Sequence, residues 1–249
     1  NKGGKMYKLS VIIPIYKGEK FIKKNLEEMK KSLSKMFTNY ELIAVIDGGK
    51  DFSYEEAKKV KGIKVVGYKK NMGKGHALKY GYKFVTGDIV TFIDADMDLH
   101  PELLKNFLPY LATADMIVGS KRHPFSKLRY PLLRRILSRC YQLFTWIILG
   151  VNLRDTQSGI KIIKKEVLDV IMPLVLVKRM AFDVELCFLA QKHGFRAVEA
   201  PIFTDYKFTG SSVGLSSIKK MFWDTLAIRY RYSFLHYYQK KFHETHFKK

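Results

Sequence analysis

Cysteine is scarce in this sequence, with only Cys140 and Cys187 among 249 residues. Two thiols are too few for a disulfide framework or a four-cysteine metal site, so neither can be the basis of the fold. Each cysteine stands in a stretch with apolar periodicity. We therefore expect both to be buried thiols of the hydrophobic core.

Long hydrophobic runs are also missing. The longest apolar runs, such as LFTWIIL at 143–149, are far shorter than the ~20 residues that a membrane-spanning helix needs. No apolar signal segment stands at the N-terminus, and residues 1–5 are left out of the predicted domain. The sequence therefore predicts no transmembrane helix.

Acidic residues are few relative to basic ones, with 23 Asp and Glu against 45 Lys and Arg, which gives a formal net charge of +22. Such an excess predicts an anionic partner. Nucleic acid, a phosphorylated small molecule and an anionic membrane surface all fit, and the charge alone does not choose among them.

What is present is the pattern of one α/β protein, without an internal repeat or a Gly/Ser-rich linker. From Leu9, short β-rich runs alternate with helical stretches, which predicts a mostly parallel sheet flanked by helices. The predicted strands are 9–16, 41–47, 63–68, 88–95 and 116–120; the predicted helices are 19–36, 54–60, 76–85 and one that begins near Pro101. A seam is expected at 121–131, where a basic, aromatic and helical region begins.

Four polar loops follow predicted elements of this sheet: PIYKGE (14–19), IDGGKD (46–51), NMGKGHA (71–77) and DADMD (94–98). In open α/β sheets, ligands bind beyond the carboxyl ends of the strands. The coincidence of these loops predicts a ligand site at that edge.

The DADMD loop places Asp94, Asp96 and Asp98 at alternate positions. In an extended chain alternate side chains point the same way, so the three carboxylates are expected to converge. Oxygen ligands suit Mg²⁺ or Mn²⁺. A calcium loop of the EF-hand kind is excluded, because Leu99 and Lys105 occupy its glycine and glutamate positions. A solvated start of a loop is the alternative.

The NMGKGHA loop places Lys74 between Gly73 and Gly75 at the start of a predicted helix, which suits a phosphate. A dinucleotide fingerprint would need a third glycine where Leu78 stands. A plain turn with an exposed lysine is the alternative.

Together these motifs resemble the family 2 glycosyltransferases, which have the GT-A fold. That family ends its strands with Pro-x-Tyr-Asn-Glu, Asp-Asp-Gly-Ser and Asp-Ala-Asp, and has an Asn-x-Gly-Lys-Gly turn. GSKR (119–122), LRDTQSGIKII (153–163) and RMAFDVELCFLA (179–190) are similar to segments of the polyprenyl-phosphate hexosyltransferases, most of all in the dolichyl-phosphate β-glucosyltransferase branch. The likeness runs from about Leu9 to Tyr232. This chain departs from the pattern at Lys17, Gly18, Ile46 and Gly49.

The resemblance implies a GT-A domain over 6–232, with a nucleotide-sugar-binding half (6–120) and an acceptor-binding half (121–232), and a basic, aromatic tail (233–249). It implies Mg²⁺ or Mn²⁺ bound by Asp94 and Asp96. The donor-binding residues it implies are Pro14, Tyr16, Glu19, Asp47, Lys74, Asp94, Ala95 and Asp96.

The resemblance also implies a lipid monophosphate acceptor, dolichyl or polyprenyl phosphate. With a second pKa of ~6, such a phosphate is already an anionic nucleophile near neutral pH, so it needs a basic cradle more than a strong base. The predicted acceptor-binding residues are Lys121, Arg122, Arg129, Arg134, Arg135, Asp155, Thr156 and Gln157. The predicted catalytic residues are Asp96, Lys121, Asp183 and Glu185. For the last two, a buried acidic pair that fixes the fold is the alternative.

The predicted function is metal-dependent, inverting transfer of a hexose from a nucleotide sugar to the lipid phosphate, with UDP-glucose favoured and GDP-mannose possible. Segments 129–150 and 222–249 are basic, apolar and aromatic, as in helices that lie in a membrane interface. We expect a peripheral protein on the cytoplasmic face of a membrane, and no nucleic-acid partner. Core helices with solvated basic faces, a glycan or protein acceptor, and a non-enzymatic binding module are the alternatives.

Overall fold

The fold, seen in a computed structural model, is a seven-stranded mixed sheet between two layers of helices; residues 7–126, 132–202 and 215–247 are described. The strands are β1 (Leu9–Ile15), β2 (Tyr40–Asp47), β3 (Lys64–Tyr68), β4 (Ile89–Phe92), β5 (Met116–Ser120), β6 (Lys161–Lys164) and β7 (Ala197–Pro201). Their order is β3-β2-β1-β4-β6-β5-β7, and only β6 runs antiparallel to its neighbours. The predicted fold class, a mostly parallel sheet flanked by helices, is confirmed.

Eight α-helices cover the sheet within the described part of the chain. They are α1 (Ile22–Ser34), α2 (Ser53–Lys58), α3 (Lys74–Tyr82), α4 (Leu132–Leu149), α5 (Lys165–Ile171), α6 (Phe182–Lys192), α7 (Leu215–Ser233) and α8 (Tyr237–Phe247). Buried side chains of α1 and α2 form one core on one face of the sheet, and those of α3, α5 and α6 belong to the core on the other. α4, α7 and α8 join the second core through Tyr141, Ile228 and Tyr238.

The central strands and α1 follow from their residue patterns. β1 lies between β2 and β4 and is buried on both faces, which is why LSVIIPI is nearly all apolar. In α1 the buried positions Ile22, Leu26, Met29 and Leu33 recur at helical spacing, as predicted for 19–36.

Several element predictions were wrong in type or length. The segment after Pro101 forms two short 3-10 helices, Pro101–Asn106 and Leu108–Ala112, rather than an α-helix. β4 ends at Phe92, so Asp94 to Asp98 lie in a turn and not in an extended strand. Strands β6 and β7 were not predicted.

The C-terminal region is helical, as predicted. Its described residues from 222 to 247 belong to α7, α8 and the turn between them, where His236 is in the left-handed region (φ 49°). Tyr238 of α8 is only 1% exposed, so the predicted tail packs onto the domain. Cys187 is buried as predicted, but Cys140 is exposed on α4, where it faces away from the core.

No helix within 7–126, 132–202 and 215–247 is long and apolar enough to cross a membrane.

Candidate active site

The candidate site lies at the edge of the sheet where β1, β2 and β4 end. Two non-glycine residues there have left-handed backbones, Lys17 after β1 (φ 54°) and Met97 after β4 (φ 58°). Such conformations are costly for most side chains and concentrate at functional sites. Lys17 stands where the family pattern has asparagine, a residue that adopts this conformation more readily.

Asp47, at the end of β2, organises the loop that leads into α3. Its buried carboxylate accepts hydrogen bonds from the Tyr68 hydroxyl (2.8 Å) and from the backbone N–H groups of Met72 (2.7 Å) and Gly73 (2.9 Å). The Asn71 amide donates to it as well (3.1 Å). Both oxygens of the Asp47 carboxylate thus accept hydrogen bonds from groups within the protein. The donor-binding role that the resemblance implies for Asp47 stays a prediction.

The loop 71–73 positions Lys74 beside the turn that follows β4. The Lys74 Nζ atom lies 2.5 Å from Oδ1 of Asp94. Burial alone would lower the pKa of Lys74, but the carboxylates of Asp94, Asp183 and Asp96 outweigh it and raise that pKa. Lys74 is therefore a fixed positive charge beside the predicted metal ligands.

The DADMD turn meets the DTQSG segment at one point. A Cβ atom on Gly159 would lie 2.3 Å from Oδ2 of Asp94, so only glycine allows this approach. Two motifs about 60 positions apart in the sequence are thereby in direct contact.

The turn itself gathers negative charge. The Met97 N–H donates to the Asp94 carbonyl (3.0 Å), and the Asp98 N–H donates to Oδ1 of Asp96 (3.1 Å). Burial, followed by the charges of Asp94 and Asp98, raises the pKa of Asp96. The side-chain amide of Asn25 in α1 donates a hydrogen bond to the carbonyl of the buried residue Ala95 (2.8 Å), which anchors the turn to α1.

The residues of this turn fit a divalent cation that is shared with a substrate. No group of three or more His, Cys, Asp or Glu side chains that could hold a metal occurs in the described part of the chain. Mg²⁺, however, is usually held by one or two carboxylates together with substrate phosphates and water. Asp94 and Asp96 supply such a pair. A cation would offset the negative charge of Asp96, whose pKa is raised first by burial and then by the nearby carboxylates of Asp94 and Asp98.

A buried ion pair stands next to this group. Lys161 of β6 is 1% exposed, and its Nζ lies 2.7 Å from Oδ1 of Asp183 at the start of α6. Lys161 also donates to the Ser158 carbonyl. The negative charge of Asp183 also helps to raise the pKa of Lys74. The charges therefore alternate in sign along a row of four residues: Asp94, Lys74, Asp183 and Lys161. Lys161 was not predicted as a site residue, although a lysine inside the apolar run GIKII was a signal for it.

Glu185 does not join this group. It is fully buried and accepts the backbone N–H groups of Leu176 (2.9 Å) and Val177 (2.7 Å) and the hydroxyl of Tyr238 (2.5 Å). Burial raises its pKa. These contacts agree with the alternative of a residue that fixes the fold, and they give no support to a catalytic role.

The predicted acceptor residues are organised around Asp155. Its carboxylate accepts the N–H groups of Lys121 (3.1 Å) and Gln157 (3.2 Å), which ties the end of β5 to the DTQSG segment. Arg122 is used structurally, since its guanidinium donates to the Arg154 carbonyl (2.6 Å) and to the Ser138 hydroxyl (2.5 Å). Asp155 and Thr156 are buried.

Two polar atoms of the DTQSG segment are buried without a hydrogen-bond partner among the described residues, Nε2 of Gln157 and the Ser158 hydroxyl. Buried polar groups almost always have partners, so these atoms are candidates to bind a substrate. Ser158 was not predicted, because a small residue beside a glycine looks like turn chemistry.

The remaining predicted residues are more scattered. Pro14 lies in β1, Tyr16 is half exposed, and Glu19 accepts the Phe52 N–H (3.1 Å). Arg135 is exposed near the start of α4. Arg129 lies outside the described residues, as does the side chain of Arg134.

Sequence comparison identifies relatives along most of the chain. It is 30% identical to a dolichyl-phosphate beta-glucosyltransferase of Dictyostelium discoideum, with 90% of this chain and 74% of the relative covered. It is 32% identical to dolichyl-phosphate beta-glucosyltransferase ALG5A of Trichomonas vaginalis, with 88% and 72% covered. The human dolichyl-phosphate beta-glucosyltransferase is 30% identical, with 90% and 75% covered.

Solved structures share the fold. Glucosyl-3-phosphoglycerate synthase from Mycobacterium tuberculosis, in complex with Mn²⁺, uridine diphosphate and phosphoglyceric acid, superposes with a TM-score of 0.67 at 18% identity. The alignment covers 90% of this chain and 78% of the synthase. The profile of Glycosyl transferase family 2 matches residues 10–172, which hold β1 to β6 and all the loops of the candidate site. This chain is a glycosyltransferase and belongs to glycosyltransferase family 2.

Proposed function

We propose that this glycosyltransferase transfers a hexose, with glucose from UDP-glucose favoured, to a dolichyl or polyprenyl phosphate. The observation that carries the proposal is the contact between the DADMD turn and the DTQSG segment at Gly159. It puts a pair of carboxylates suited to a cation beside buried polar atoms that have no partner in the described chain. The names of the relatives support the sugar and the acceptor.

The divalent cation, Mg²⁺ or Mn²⁺, would be held by Asp94 and Asp96 and would offset the charge of the leaving diphosphate. Lys74 forms an ion pair with Asp94 and so holds that carboxylate in place. The Asp155 carboxylate accepts hydrogen bonds from the backbone N–H groups of Lys121 and Gln157 and so positions these two residues. In-line attack by the acceptor phosphate on the anomeric carbon would invert it, since no covalent sugar–protein intermediate is needed when the nucleophile is already an anion.

We also propose that the protein binds peripherally to the cytoplasmic face of a membrane. α4 exposes an apolar row at helical spacing, Ile136, Cys140, Leu143 and Ile147, with Trp146 beside it. This row points away from the face of α4 that packs on α7, where the Phe144 and Phe222 rings lie 4.6 Å apart.

α7 and the residue that follows it also expose aromatic side chains. Trp223 and Phe234 are 72% and 73% exposed, and Tyr230 is also exposed. Apolar and aromatic side chains on neighbouring helices of a strongly basic protein suit the interface of an anionic leaflet. A lipid-linked acceptor would then meet the site without leaving the bilayer.

A transfer assay tests the proposal. The protein is incubated with Mn²⁺, a panel of UDP- and GDP-sugars and a short polyprenyl phosphate, and lipid-linked sugar is measured; chelator and the Asp96→Asn variant serve as controls. We expect transfer from UDP-glucose that both controls abolish. Transfer only to an added glycan or peptide acceptor would overturn the proposed acceptor, and transfer only from GDP-mannose would overturn the proposed sugar.

A further inference from the structure

A second cavity lies outside the group of residues around Asp94. Its volume is about 710 Å³, and it is bounded by the end of β3, the outer side of α3 and the segment 175–178. This volume is within the range of sites for small molecules, roughly 300–1,000 Å³. None of the predicted donor, acceptor or catalytic residues lines it.

The residues that line the cavity include five lysines and no aspartate or glutamate. Its lysines are Lys69, Lys70, Lys79, Lys83 and Lys178. Within the part of the chain that the structure describes, none of them forms an ion pair with a carboxylate. Burial lowers the pKa of His76 in the same wall, and the charge of Lys178 lowers it further. A local excess of positive charge predicts an anion with more than one negative charge.

The remaining wall is apolar and aromatic. Met72, Val175 and Val177 line it together with Tyr68 and Tyr80, whose rings meet edge to face at 5.2 Å. A ligand that fills this cavity therefore needs an apolar or ring-shaped part as well as its charged group. A phosphomonoester on an organic body has both features.

The walls of the cavity also hold the loop that forms the candidate site. The Tyr68 hydroxyl and the Met72 N–H both donate to Asp47 (2.8 and 2.7 Å). On the opposite wall, the Lys178 carbonyl accepts the His76 N–H (3.1 Å) and lies against Gly73. A molecule bound between these walls would restrain both sides of the loop that positions Lys74.

We propose that this cavity, the lysine pocket, is a second ligand site that binds a phosphomonoester with an apolar body and thereby stabilises the loop 71–74. Binding there and binding of the nucleotide to the candidate site are then coupled, and each strengthens the other. The coupling rests on the proposed function, whereas the binding itself does not.

Methionine NMR separates the two sites. In full-length protein with ¹³C-methyl methionine and no divalent metal, Met72 reports on the lysine pocket and Met97 on the DADMD turn. Phenyl phosphate serves as the soluble probe, and vesicles with phosphatidic acid, compared with neutral phosphatidylcholine vesicles, serve as the lipid source of the same group. We expect phenyl phosphate to shift Met72 before Met97. A response of Met72 to phosphatidic acid alone would assign the site to a lipid headgroup. A response of Met97 alone, or of neither residue, overturns the site.

Charge reversal identifies the residues. Lys70→Glu with Lys178→Glu should weaken phenyl phosphate binding about tenfold, which corresponds to ~1.4 kcal/mol. The matched control is Lys105→Glu with Lys61→Glu, two exposed lysines that do not line the cavity. If the control pair weakens binding as much, the attraction is the general charge of the protein and the proposal is wrong.

Nucleotide binding tests the coupling. With Mn²⁺ present, saturating phenyl phosphate should tighten UDP binding several-fold in the unmodified protein and leave it unchanged in the Lys70→Glu/Lys178→Glu variant. Probe binding at Met72 without any effect on UDP affinity would overturn the coupling. Absence of UDP binding in every sample would instead count against the proposed function.

Discussion

Single residues decide how charge is arranged at the candidate site. Asp94, Lys74, Asp183 and Lys161 alternate in sign from the turn after β4 to the interior of the sheet. Asp96 lies outside this row of partners and has a raised pKa. The row therefore neutralises Asp94 and Asp183 within the protein and leaves Asp96 as the carboxylate most in need of a cation.

Asp96→Asn should abolish metal-dependent transfer, with a loss of at least ~100-fold, because a metal that offsets the leaving-group charge contributes several kcal/mol to catalysis. The fold should be intact, since the change removes a charge from a turn where carboxylates repel each other. Transfer rate with Mn²⁺ and the thermal midpoint are measured, with Glu27→Gln, an exposed position of α1, as the control. Full activity of Asp96→Asn would rule out the metal role.

Lys161→Met should destabilise the protein by about 3–5 kcal/mol, because it leaves the buried Asp183 carboxylate without its partner. The double variant Lys161→Met/Asp183→Leu should regain much of that stability, since apolar pairs often replace buried ion pairs well. Free energies of unfolding from urea titrations check this. If Asp183 only stabilises the fold, the double variant will regain hexose-transfer activity as well as stability. We expect it to regain stability but not transfer activity.

The sequence predicted the residues of the site better than their partners. Asp94, Asp96 and Asp183 were identified because their motifs are local. Lys161 and Ser158 were not, because their roles depend on β6 lying between β4 and β5, a long-range pairing that four residues of KIIK do not reveal. Glu185 was given a catalytic role, together with Asp183, by the resemblance, but helix residues two positions apart do not face the same side.

At the scale of elements, the residue at which a strand ends determines how the side chains of the following motif are arranged. The carboxylates of DADMD were expected to converge because alternate residues share a side of a strand, but β4 ends at Phe92. They are brought together instead by a turn with Met97 in the left-handed region. Strand length depends on pairing with β1 and β6, which the sequence of one strand does not contain.

α8 is tied to α6 by a buried hydrogen bond. Tyr238→Phe removes the hydroxyl that Glu185 accepts and should destabilise the protein by about 1–3 kcal/mol, because a buried acceptor loses a donor. Tyr237→Phe is the matched control, as Tyr237 is only partly buried. Thermal and urea unfolding measure both. Equal stability of the two variants would show that the hydrogen bond between Tyr238 and Glu185 is dispensable.

The exposed row on α4 can be tested without touching the core. Leu143→Glu with Ile147→Glu should lower binding to anionic vesicles at least tenfold, because it removes two apolar groups from the interface and adds repulsive charge. Stability should change little, since these side chains are 56% and 64% exposed. Tyr54→Glu with Phe125→Glu, exposed positions outside α4 and α7, is the control pair. Equal loss from both pairs would mean that the effect comes from net charge alone.

The molecule as a whole carries a net charge of +22 and exposes apolar side chains on α4 and α7. Composition alone could not separate nucleic acid, phosphorylated ligand and membrane as partners. The structure adds that half of the exposed large hydrophobic side chains in the described part of the chain lie on two helices that pack together, α4 and α7. Positive charge favours any anionic partner, whereas an exposed apolar surface is what the proposed binding to a bilayer needs in addition.

Vesicle binding at different salt concentrations separates the two contributions. Each Lys or Arg near an anionic leaflet contributes about 1 kcal/mol, and salt screens that attraction because the screening length falls from ~10 Å at 0.1 M to ~3 Å at 1 M. Burial of apolar side chains is not screened in this way. Co-sedimentation with vesicles should therefore increase with anionic lipid content, and it should decrease at high salt without vanishing. The variant Leu143→Glu with Ile147→Glu should lose the binding that remains at high salt. Binding that disappears completely at high salt, or that the α4 variant leaves unchanged there, would show that the protein is held by charge alone and that the apolar row of α4 has another partner.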